Sequence, residues 1–109
     1  MDTKDYVGKF VKTTDGLYGM IDDEFGDRLG FVHAEKDSWT NELVDVIKVN
    51  VVSPTTDDGA KAFRSAHEYF TKERESLCWR IDKKLPIDDP VRLKALLTHC
   101  EMWLRKLDA

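Results

Sequence analysis

A chain of 109 residues is one ordinary domain, or two very small units sharing a core. With 41% hydrophobic and 35% charged residues it has material for one modest core under an ionic surface. It holds no apolar run of about 18 residues, which excludes a transmembrane helix. The net charge of −4 is unevenly divided: residues 1–55 carry −5 and residues 56–109 carry +1, so phosphate binding is disfavoured in the front half, where acids outnumber bases.

The opening Met1-Asp2-Thr3-Lys4-Asp5 is polar and lacks the basic-then-apolar pattern of a secretory signal. The expected location is therefore cytoplasmic. Tyr6–Lys12 then reads as a strand, with β-formers alternating with lysine, and ends at the turn signal Asp15-Gly16. Leu17–Ile21 is a second strand. The acidic stretch Asp22-Asp23-Glu24-Phe25-Gly26-Asp27 is expected as a turn. Arg28–His33 is a third strand. Residues 34–42 read as a polar loop or short helical turn around Trp39, and Leu43–Val52, rich in Val and Ile, is the strongest β segment. Four or five short strands joined by Gly and Asp turns suggest a small antiparallel barrel.

The succession Val7-Gly8-Lys9-Phe10-Val11, then Asp15-Gly16-Leu17-Tyr18-Gly19-Met20-Ile21, resembles the opening of small SH3-like barrels of the KOW or Tudor type. The resemblance covers residues 6–52, about half the chain. It implies a module that binds proteins or nucleic acids through loops and exposed aromatics.

The character of the chain changes at Ser53-Pro54. Thr56 or Asp57 is the expected N-cap of a helix over residues 58–84, with an apolar stripe of Phe63, Ala66, Phe70, Leu77 and Ile81. Pro86 blocks its continuation. Asp89-Pro90 reads as N-cap and first residue of a second helix over 90–107, with Leu93, Leu97, Cys100, Leu104 and Leu107 on one stripe. The short connector implies antiparallel packing. The fold class expected is α+β: a β-barrel unit over 1–53 and a helical hairpin over 54–109, packed as one compact domain.

Few chemistries fit these residues. Cys78 and Cys100 fall within the helices and are expected as buried, reduced thiols. His99 beside Cys100 tempts a zinc reading, but neither Cys-x-x-Cys nor His-x-x-x-His spacing is present. The acidic stretch starting at Asp22 fails the calcium-loop pattern, with Gly26 at the fifth position and His33 at the twelfth. No nucleophile elbow and no phosphate-cradling loop occurs. The bases of the first helix, Lys61 to Lys84, are interrupted by Glu68, Glu73, Glu75 and Asp82, which favours a solvated face with local ion pairs. Trp79 and Trp103 are expected to close the core, whereas Trp39, in a polar stretch, is the best contact candidate.

These features point to a non-enzymatic module without metal or cofactor that binds a protein partner. The expected site is Trp39 and Phe25 with the carboxylates of Asp22, Asp23, Glu24 and Asp27. Their charge favours a basic partner and extends the expectation to a small regulator or inhibitor of a basic, nucleic-acid-binding protein. The alternative is direct nucleic-acid binding through the barrel and the basic helix residues.

Overall fold

The computed structural model describes residues 2–109. The chain is α+β: a five-stranded antiparallel sheet is followed by two helices. The strands are β1 (Phe10–Thr13), β2 (Tyr18–Phe25), β3 (Arg28–Glu35), β4 (Ser38–Asp45) and β5 (Val49–Val51). The helices are α1 (Asp57–Lys83) and α2 (Pro90–Asp108). By contact the chain divides into two compact units, Met1–Tyr69 and Phe70–Ala109, so the boundary falls inside α1.

In the first unit the strand order is β4-β3-β2-β1-β5. Two tight turns build the meander. Asp15-Gly16 turns β1 into β2, with Gly16 at φ +87°. Gly26, at φ +67°, takes the first central position of the Gly26-Asp27 turn into β3, a position that favours glycine. A short 3-10 turn at Val46–Lys48 then breaks the Val/Ile run, and β5 returns to pair with β1. The expected barrel is not closed: β4 and β5 are the two edges of an open sheet. The sheet nevertheless surrounds one core. Val11, Ile21, Leu29, Phe31 and Val49 form a buried cluster, and Val44 and Val46 pack against it.

The opposite face of the sheet carries Phe10, Tyr18, Met20 and Val32, and the first turns of α1 lie over part of it. Phe10 meets Phe63 edge-on at 6.0 Å. The Tyr18 hydroxyl donates to Asp58 Oδ1 at 3.0 Å. The Ala34 N–H donates to Ser65 Oγ at 2.9 Å. Of the two expected caps, Thr56 is the one that acts: its Oγ1 accepts from the Gly59 N–H at 3.1 Å and donates to the Ser53 carbonyl at 2.7 Å. Gly59 permits this approach, because a Cβ there would collide with the Ser53 carbonyl oxygen and stand 2.8 Å from Pro54 Cα.

In the second unit the end of α1 and all of α2 form a helical pair. Phe70 stacks on Trp103 near the far end of α2, at 6.4 Å. Ile81 and Leu93, near the connector, line one small cavity. Helices that meet in this order run antiparallel. Asp89 caps α2 by accepting from the Val91 N–H at 3.0 Å, with Pro90 in the first turn. Phe70, Leu77, Leu93, Cys100, Trp103 and Leu104 are buried. Leu97, the second residue of the expected stripe and at one margin of it around the helix, is only half-buried.

Two expectations need correction here. Cys78 is exposed while Cys100 is buried; Cys78 follows the buried Leu77 by one residue, a step of about 100° around the helix. Trp79 is likewise 55% exposed, so Trp103 alone of that pair fills the core.

Candidate binding face

The candidate site lies along β4. This segment is a strand and not the expected loop around Trp39. Its cross-strand partners include Phe31 for Glu42 and Leu29 for Val44 on the core face. By alternation, Trp39, Asn41, Leu43 and Asp45 occupy the other face, opposite Ala34, Val32, Gly30 and Arg28. Phe25 pairs with Arg28 and Asp23 with Gly30, so these two residues share that face. An ideal Cβ on Gly30 would stand 3.2 Å from the edge of the Phe25 ring. The ring therefore lies over the glycine, beside Leu43, and the missing side chain makes its seat. The result is a strip of exposed apolar side chains in which Asn41 separates Leu43 from Trp39: Phe25 is 54%, Leu43 52% and Trp39 39% accessible.

Carboxylates border the strip. Asp23 and Asp27 are exposed. Asp45 is half-exposed and pairs with Arg28 at 3.5 Å. The remaining two acids of the expected site are not part of this exposed border. Asp22 is buried at the bulge where the β2–β3 register shifts, and its Oδ1 would stand 2.9 Å from a Cβ on Gly30, nearer than the Phe25 ring, so it lies under the face and not on its surface. Glu24 pairs with Leu29 on the core face and accepts from the Thr3 hydroxyl at 3.0 Å. The expected acidic turn is thus the end of a strand, and only Gly26-Asp27 turns. Leu43 was absent from the expected site. Its signal was its four-residue spacing from Trp39, which places both on one side of any strand.

On the core face of β4, Glu42 Oε2 lies 3.0 Å from Nε2 of the buried His33, which stacks on Phe31 at 4.7 Å. This pair ties the middle of β4 to β3.

A separate groove of about 480 Å³ runs between the β1–β2 turn, the end of β3 and the start of α1. Lys61 and Arg64 line it together with Glu35 and Glu68, so its charge is mixed. Tyr18 stands at its wall between Lys12 and Lys61, whose ammonium groups are each 5.3 Å from the ring centre. The Tyr18 hydroxyl, assisted by the Asp58 carboxylate, holds the Lys12 ammonium above its ordinary pKa. Ser65 in the same groove bonds the Ala34 backbone in both directions. Among the described residues no three His, Cys, Asp or Glu side chains gather as metal ligands, and no helix is long and apolar enough to cross a membrane.

Comparison with protein families, curated proteins and solved structures finds no match.

Proposed function

We propose that this chain is a non-enzymatic protein-binding module whose contact face is the strip of Phe25, Leu43 and Trp39 with its acidic border. The observation that carries the reading is the register: it sets three large apolar side chains, all more than a third exposed, on one side of the sheet beside Asp23 and Asp45. Exposed aromatics with a charged rim have the anatomy of an interface, where the apolar centre supplies affinity and the rim supplies steering. The excess of carboxylates makes the partner basic, and a regulator or inhibitor of such a protein is the role that fits.

The SH3-like reading of residues 6–52 belongs to the same proposal. Its support is the connectivity, a meander whose last strand returns to the first around one shared core.

One observation favours direct nucleic-acid binding instead: Tyr18 between two lysines is the kind of surface on which a base stacks. Glu35 and Glu68 in the same groove oppose the phosphates that would follow. Affinity capture with wild-type chain, Leu43→Lys and Ile87→Lys separates the readings. The binding-face proposal expects a protein retained by wild type and by Ile87→Lys, whose substitution lies in the second unit, and lost by Leu43→Lys. Retention of nucleic acid by all three would defeat it.

A further inference from the structure

We propose that the β4 edge takes up an extended, basic segment of the partner protein as an added sixth strand. This rests on the protein-binding reading above and specifies how that face is used.

The two edges of the sheet differ. β5 has three residues and ends just before Ser53-Pro54, which blunts it. β4 has eight residues, Ser38–Asp45, none of them proline, glycine or lysine. It pairs with β3 over all eight positions without a register shift, whereas the β2–β3 ladder is bulged. Every one of its residues is exposed or half-buried. Proteins commonly guard an edge with shortness, proline, lysine, a bulge or an inward-pointing charge, and of these β4 carries only the last, Glu42 on the core face, which His33 already engages. Half of its backbone N–H and C=O groups point away from β3, in a regular row roughly 27 Å long at the antiparallel rise.

Charge identifies the occupant. Along the edge and its turn stand Glu35, Asp37, Glu42 and Asp45 against Lys36 and, across from Asp45, its partner Arg28, which leaves acids in excess. A second copy of this chain would bring further acids to an edge where acids are already in excess. A segment with Lys or Arg at every second position meets Glu42 on the core face, while its alternate apolar residues meet Leu43 and Trp39 on the other. Backbone pairing supplies affinity and this alternation supplies selectivity.

The test uses the whole chain and two synthetic probes: an eight-residue peptide alternating lysine and valine, and the same peptide N-methylated throughout, which removes its backbone donors. Amide shifts and exchange protection are followed by NMR. The expected result is protection of β4 amides by the plain peptide and at least a tenfold loss of affinity on methylation, the equivalent of about 1.4 kcal/mol. Equal binding of both peptides at Phe25, Trp39 and Leu43 would overturn strand addition and leave the protein-binding reading intact. So would binding of neither peptide while Leu43→Lys still releases the captured partner. Binding of neither peptide together with a Leu43→Lys variant that keeps its captured protein would defeat both. Concentration-dependent dimers protected at β4 would replace the basic segment with a second copy.

Discussion

Lys84 is the one described non-glycine residue at positive φ, +52°, and it ends α1. Its N–H closes the last turn on the Arg80 carbonyl at 3.1 Å. That is the left-handed position at which helices commonly carry glycine, because a Cβ there crowds the backbone. Lys84→Gly is expected to raise stability by up to about 1 kcal/mol, the relief of strain exceeding the entropy that glycine gains on unfolding. Urea titration reads it; a fall in the midpoint would show that the lysine side chain matters more than its backbone. Four residues later, Asp88 takes two bonds from Arg80, Nη2 at 2.6 Å and Nε at 3.3 Å, and this fork clamps the connector. The Arg80 guanidinium holds the Asp88 carboxyl below its ordinary pKa. A depressed acid stabilises the fold above its unfolded pKa, and that contribution is lost as pH falls through the folded value. Asp88→Asn should therefore melt earlier than wild type at neutral pH, and the gap should close below about pH 4. A gap of constant size down to pH 2 would show that the charge is not what clamps the turn.

At the scale of elements, truncations along α2 should follow burial and not the stripe. Leu104 is 4% exposed, while Leu97, on the same stripe, is only half-buried. Leu104→Ala should cost about 2–5 kcal/mol and Leu97→Ala distinctly less; equal losses by thermal melting would contradict the helical packing described. Both helices were legible because a 3.6-residue period and two caps, Thr56 and Asp89-Pro90, mark them independently. The period locates a stripe but not its centre, which is why Leu97 and Cys78 were misjudged. β4 was illegible for a physical reason. An edge strand with little core contact needs no apolar alternation, so Ser38-Trp39-Thr40-Asn41-Glu42 looked like a loop. The run from Leu43 to Val52 hid a corner, because the 3-10 turn at Val46–Lys48 uses neither glycine nor proline. The three consecutive acids Asp22, Asp23 and Glu24 suggested a turn, yet the bulge buries the first and pairing with β3 carries the strand on to Phe25.

Over the whole molecule, the proposed binding joins two features, the front-half charge of −5 and the exposed strip. In that proposal the charge would act at a distance and be screened by salt, while the strip would act on contact and not be screened. Composition showed the first directly. Of the strip, Trp39 and Phe25 could be picked out as aromatics in polar surroundings, but only the register reveals that they share a face with Leu43. The central claim is that a protein partner covers this face. Hydrogen–deuterium exchange of the chain, alone and bound to the protein it captures, tests that claim most directly. The account predicts new protection across residues 38–45 and around Phe25, with the connector at 84–89 unchanged. Protection confined to the connector and the start of α2, with β4 exchanging as in the unbound chain, would contradict it.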